Sequence, residues 1–228
     1  MRDVSTKIIS GLPSNNGSSI STVNDLGTIQ KYTDRAYETS LTGLETKYTG
    51  SFMAGVYWED LRVSVGALKL SGSKPPLWTS YKGGEVLAFS DESIAGNEEI
   101  IYFIAQMPHA WKEGSEIDVH IHWIPEDTTA GNVRWLFTYS WASVGGDFPS
   151  EKTIVGNFAA PGVADRHAYA DLGEFDATGQ TISSMLICSL KRQSSNAGDT
   201  FTAKSAYLTE IDFHYQVDSL GSRQEATK

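Results

Sequence analysis

The residues best placed to do chemistry are His120 and His122, one residue apart in the run Glu116-Ile117-Asp118-Val119-His120-Ile121-His122-Trp123-Ile124. Polar and apolar residues alternate here, the period-two pattern of a strand with one buried face. Ile117, Val119 and Ile121 then face one way, and Asp118, His120 and His122 the other. Two imidazoles on one strand face stand two rises, roughly 7 Å, apart along the backbone, close enough to share one metal ion. Glu126 follows His122 by four positions and is the candidate third donor. The competing reading places both histidines on a half-buried or interface face with no metal, and that is the expectation. His214 alternates with Asp212 on a later strand and reads as a surface histidine.

Other catalytic patterns are weaker. No G-x-S-x-G elbow precedes a helix, so the serines, histidines and aspartates do not assemble into a hydrolase signature. Glu98-Glu99 and Asp91-Glu92 read as loop acids; with 28 acidic residues in the chain, a pair of carboxylates is uninformative. Gly83-Gly84 and Gly145-Gly146 read as hairpin turns, not as phosphate-binding loops. The single cysteine, Cys188, sits in the apolar run Met185-Leu186-Ile187-Cys188 and reads as a buried small hydrophobe. Trp78, Tyr81 and Trp111 fall in polar, loop-like stretches. Exposed flat aromatics stack on sugar rings or anchor protein interfaces; the alternative is that they cap the ends of the core.

The elements that must position these residues are strands. Alternation, aromatic and β-branched enrichment, and Gly/Pro/Asp/Asn punctuation predict strands over 56–63, 85–89, 99–105, 116–124, 132–143, 153–158, 167–175, 184–190 and 206–217. Trp135, Phe137, Tyr139 and Trp141 share one face of their strand. A short helix near 25–37 is the most helix the pattern allows. Strands at this spacing predict an all-β, jelly-roll-like antiparallel sandwich over residues 51–218. Residues 1–50 lack any Trp or Phe and carry linker chemistry such as Ser14-Asn15-Asn16-Gly17-Ser18-Ser19, so they read as an extended polar N-terminal arm; residues 219–228 read as a polar C-terminal tail.

Composition narrows the function classes. The formal net charge is −10, with 18 basic residues scattered along 228. Nucleic-acid binding requires clustered Lys and Arg, so no direct nucleic-acid partner is expected. No stretch approaches about 18 consecutive apolar residues, and no membrane span is expected. The N-terminal residues lack the charged and apolar regions of a secretory signal. With one cysteine there is no disulfide framework, which suits a reducing compartment.

Two resemblances follow. Gly114, His120, His122 and Glu126 resemble the first metal-binding motif of cupins, although the closing glycine comes early, at Gly131, and the second motif is not recognisable because His167 follows Pro161-Gly162 at a different spacing. Tyr57-Trp58-Glu59-Asp60-Leu61-Arg62-Val63, Gln106 to Ile117, His120 to Pro125 and Trp135 to Ala142 resemble a family of tailed-bacteriophage virion proteins, over roughly Tyr57 to Pro149. That second resemblance implies a jelly-roll-like domain on the particle. The expected function is a capsid decoration (cement) protein that binds the major capsid protein through its arm and stabilises the head. It implies assembly in the host cytoplasm, a place on the capsid surface, and a homo-oligomer, trimer or dimer. The alternatives are a tail, fibre or glycan-binding receptor component, then a cupin-like metalloprotein. No enzymatic activity and no cofactor are expected.

Overall fold

The computed structural model describes residues 57–228, together with the backbone of 23–24, 28–29, 37–40 and 45–48. The expected arm therefore lies mostly outside the described residues, as does the expected helix near 25–37. The chain divides into two units, Met1–Gly55 and Val56–Lys228; in the first, β1 (Val23–Asn24) pairs antiparallel with β2 (Thr28–Ile29), and β3 (Tyr37–Ser40) with β4 (Glu45–Tyr48).

The second unit carries eleven further strands: β5 (Tyr57–Ser64), β6 (Lys69–Leu70), β7 (Leu77–Tyr81), β8 (Gly84–Phe89), β9 (Ile100–Gln106), β10 (Ile117–Pro125), β11 (Asn132–Ala142), β12 (Lys152–Ala159), β13 (Ala168–Phe175), β14 (Met185–Arg192) and β15 (Ala206–Val217). They form two antiparallel sheets. One runs β13-β10-β15-β8-β7, with β5 also pairing β15; the other runs β12-β11-β14-β9-β6. The chain repeatedly crosses from one sheet to the other, as in a jelly roll. The nine predicted strands are all present within a residue or two, and the sandwich class is as expected. The short β6 and β7 are additional.

Alternation explains the two layers. Ile117, Val119, Ile121 and Trp123 on β10, and Val133, Trp135, Phe137, Tyr139 and Trp141 on β11, all enter one core. Rings from opposite sheets meet there: Phe103 and Phe137 each lie about 6 Å from Phe213 (6.2 and 6.1 Å), and Phe89 stands edge-on to Trp135 at 5.2 Å. Such contacts add stabilisation beyond the area they bury. Cys188 is 3% exposed, and burial pushes its thiol pKa up strongly, so it stays protonated.

Two irregularities set which residues face outward. β15 bulges opposite His122 and Trp123, whose partners are Glu210 and Leu208. The extra residue, Thr209, reverses the phase, so that Leu208 and Ile211 both enter the core while Glu210, Asp212 and His214 face out. β13 bulges between Glu174 and Asp171, where Gly173 adopts φ +85°. Asp171 thereby comes directly opposite His120. The β7–β8 hairpin turns through Lys82 and Gly83, both at positive φ (47° and 86°), the conformation a two-residue turn requires.

Candidate functional site

The outer face of the six-stranded sheet gathers four of the five histidines. In register across β5, β15, β10 and β13 lie Arg62, Asp212, His120 and Asp171; the row beside it holds Asp60, His214, Asp118 and Glu174. Asp212 is the hub. Its Oδ2 lies 2.7 Å from His122 Nε2, and its Oδ1 lies 3.1 Å from His120 Nδ1. That second contact is at ion-pair distance but off the direction of a hydrogen bond, which leaves Oδ1 without one although Asp212 is only 4% exposed. His122 Nδ1 meets His167 Nε2 at 2.8 Å, with the two rings stacked. His214 Nδ1 bonds Asp60 Oδ1 at 2.7 Å, and Arg62 grips Glu210 in a bidentate pair at 2.6 and 2.7 Å.

The rings form a continuous row across four strands. Trp58 stacks on His214 at 4.8 Å and 4°, His214 faces His120 at 5.5 Å, and Tyr169 stands edge-on to His120 at 5.5 Å. The terminal rings are open to solvent, Trp58 at 39% and Tyr169 at 62%. Electrostatics follow from the crowding. Burial works to raise the Asp212 pKa, but the two adjacent imidazoles outweigh it and hold the carboxylate below its ordinary value. The same carboxylate holds His120 above the usual imidazole value against the effect of its own partial burial. Asp118 is pushed up by burial, reinforced by Asp171.

The structure keeps some of the predicted site and moves the rest. His120 and His122 share the outer face as the alternation requires. Glu126 is not their partner: just beyond β10 its Oε2 accepts the Ser205 N–H at 2.7 Å. The third donor is Asp212, and the three could together hold a metal ion, their donor atoms all lying within 4.8 Å of one another. Trp111 is corrected from an exposed anchor to a core residue: it is fully buried, with its indole N–H on Ser115 Oγ at 3.0 Å. Its loop carries a bridge to Val217, which folds the indole under the sandwich end. Trp78 is exposed at 45% but belongs to strand β7. Tyr81 is half-buried and donates to Asp165 at 2.7 Å; burial, reinforced by that bond, pushes its pKa up to about 12. Glu98 and Glu99 are buried acceptors at strand ends; Glu99 takes both the N–H and the hydroxyl of Ser90.

Sequence reasoning missed Asp171, the role of His167 and the centrality of Asp212. The last of these carried a signal, because Asp212 alternates with His214 in a strand longer than β10. It also missed Arg192, which occupies a core-facing position of β14 and pairs with buried Asp199 at 2.8 Å. The remaining histidine, His109, contacts Ser183 Oγ at 2.8 Å. That hydroxyl donates to the Glu225 carbonyl at 2.6 Å, in the tail 219–228, and is buried, so it is not presented as a nucleophile.

No family model and no curated protein matches the chain. Among solved structures, it is similar to the CBM22-1 xylan-binding domain from Paenibacillus barcinonensis Xyn10C, at 13% identity and TM-score 0.42 over 73% of this chain and 99% of that one. It is similar to the CBM36-1 domain of a multidomain xylanase from the hindgut metagenome of Trinervitermes trinervoides, at 10% identity and TM-score 0.38 over 68% and 96%. A further likeness is to the exo-beta-1,3-galactanase of Phanerochaete chrysosporium, at 12% identity and TM-score 0.39 over 78% and 32%. These identities and scores are too low to carry residues or activities across.

Proposed function

We propose that this domain is a non-catalytic binding module that takes up a carbohydrate on the outer face of its six-stranded sheet. The observation that supports the reading is the ring row from Trp58 to Tyr169, exposed at both ends and bordered by Asp60, Asp118, Asp171, Arg62 and Glu210. A sugar presents an apolar C–H face and a rim of hydroxyls. The free faces of the terminal rings Trp58 and Tyr169 cover the first, and planar carboxylates, imidazoles and guanidinium pair with neighbouring hydroxyls on the second. Three inter-strand spacings, about 14 Å, separate the ends of the row, which suits a short oligosaccharide. Paired strands hold the groups in place before binding, so little ordering entropy is lost on association.

The test is binding of full-length protein to an array of plant, algal and bacterial-surface glycans, followed by titration with each glycan retained. Trp58→Ala and Tyr169→Ala are expected to weaken binding about tenfold or more each, as truncated interface anchors do. No retention on any glycan, or retention that both variants leave unchanged, overturns the reading.

A second reading, a place on a virus particle, is supported by the resemblance over Tyr57 to Pro149 and by the opposite face of the sandwich. There Tyr102, Ile104 and Ile187 on the paired strands β9 and β14, and Val155 on β12 beyond β11, stand 43–61% exposed, an apolar surface suited to a neighbouring protein subunit. Quantitative mass spectrometry of purified particles tests it. High copy number fits head decoration, low copy number fits a tail part, and absence refutes both.

A further inference from the structure

We propose that His120, His122 and Asp212 form a binding site for one first-row divalent transition metal ion, with zinc as the reference ion. The proposal is independent of the carbohydrate reading and rests on four features of the sheet face.

The first is the donor set. Two imidazole nitrogens and one carboxylate oxygen lie within 4.8 Å of one another on adjacent strands β10 and β15. Two histidines and a carboxylate on one side of an ion are a recurring ligand set for zinc and for iron(II), with the remaining positions open to water. Metal–donor bonds of about 2.0–2.1 Å set tetrahedral ligand atoms about 3.4 Å apart, so the widest separation, up to 4.8 Å, closes by roughly 1.4 Å and the 2.7 Å His122–Asp212 contact opens. The imidazoles of His120 and His122 are 18% and 23% exposed, and rotation of their rings would bring the nitrogens together.

The second feature is Asp212 itself. It is 4% exposed, and its Oδ1 has no hydrogen bond. A buried carboxylate oxygen without a donor is costly unless a cation faces it. His120 Nδ1 stands 3.1 Å away but is poorly directed. An ion between them would satisfy both atoms.

The third is what lies behind each imidazole. A histidine that ligates a metal through one nitrogen normally donates its other N–H to an acceptor that fixes the ring. Behind His122 Nδ1, His167 Nε2 waits at 2.8 Å. Behind His120 Nε2, the Asp171 carboxylate lies at 4.0 Å. Both outer partners come from β13 or the residue just before it, and the Gly173 bulge is what aligns Asp171.

The fourth is charge. Asp60, Asp118, Asp171, Asp212 and Glu210 share this face, and its one arginine, Arg62, is already committed to Glu210. The face attracts cations.

The experiment uses full-length protein stripped with chelator and dialysed, then titrated with zinc alone by calorimetry. In parallel, cobalt(II) is added and its visible absorption recorded as a report of coordination. The expected result is one equivalent per chain and intense cobalt bands. Both are lost in Asp212→Asn and in His120→Ala/His122→Ala, and both are retained in His109→Ala. His167→Ala is expected to weaken zinc about 10–100-fold, the usual effect of removing an outer partner, which a merely structural His167 would not do. Circular dichroism and a thermal melt in chelator show whether each variant is folded. If the double variant is unfolded, Asp212→Asn, nearly isosteric, decides. Failure to bind a stoichiometric equivalent, or equal binding by wild type and Asp212→Asn, overturns the proposal. Glycan titrations run in chelator keep the failure of this proposal distinct from failure of the carbohydrate reading.

Discussion

Asp199→Ala is expected to destabilise the sandwich by about 3–5 kcal/mol, the cost of leaving a buried charge without its partner. The estimate follows from the geometry at the end of β14. Arg192 and Asp199 both have side chains wholly removed from solvent. Arg192 Nε and Nη2 donate to the two Asp199 oxygens at 2.8 Å each, and the remaining N–H groups go to the carbonyls of Phe89, Phe201 and Lys204. All five donors are used. Asp199 also accepts the Arg134 N–H at 3.0 Å. Losing two charge-assisted bonds at about 1.5–3 kcal/mol each gives about 3–6 kcal/mol, an overlapping range by a separate route. For a domain of this size the change corresponds to a melting shift of roughly 6–20 °C, at about 2–4 °C per kcal/mol. All six tryptophans lie between Trp58 and Trp141, so urea unfolding followed by tryptophan fluorescence reports on this domain. The double variant Arg192→Met/Asp199→Ala is expected to lose less than the sum of its single variants, because removing both charges removes the shared penalty. A cost below about 1 kcal/mol for Asp199→Ala, or strict additivity in the cycle, would refute the reasoning.

Three further outcomes are expected. Trp135→Ala, at a fully buried position edge-on to Phe89, should cost about 3–5 kcal/mol in the same urea assay; a cost under about 1 kcal/mol would mean the strand faces are reversed. Gly131→Ala should cost about 1–3 kcal/mol, since φ is +152° and an added methyl would fall on the Thr200 carbonyl; an unchanged melt would contradict that contact. Burial holds the Glu99 pKa above its ordinary value, so the folded state binds this proton more tightly than the unfolded chain and loses stability as pH rises from the unfolded value through the folded one. Glu99→Gln should therefore compare more favourably with wild type at pH 7 than at pH 4, and the opposite trend in paired melts would show the sign to be wrong.

The strands were legible because each has one buried face, and period two is written directly into residues such as Ile117, Val119 and Ile121. The same logic placed His120 and His122 on a common outer face. It could not supply their partner. Asp212 is some ninety positions away, and its approach depends on β15 pairing with β10 in a register shifted by the Thr209 bulge. Glu126 looked closer only because it is closer along the chain. Trp111 misled for a related reason: its polar neighbours mark a loop, and a loop that folds beneath the sandwich buries its ring as thoroughly as a strand does. Arg192 was hidden by its residue type, since a charged side chain at a core position is readable only once Asp199 is seen beside it.

The last strand of the sandwich is also the middle of its larger sheet, and this bears on how the protein is made. β15 pairs along one edge with β10 and along the other with both β8 and β5. Among the described residues, β5 has no other strand partner, and Tyr57 must wait for Val217, 160 positions later (217 − 57). At about 5–20 residues per second, a ribosome needs roughly 8–30 s to cover that distance. Throughout it, β5, β8 and β10 present unsatisfied backbone edges of the kind that recruit wrong partners. β5 can therefore join this sheet only once β15 has been made. A message truncated anywhere before residue 206 leaves β5 without its strand partner and β8 and β10 each with one open edge.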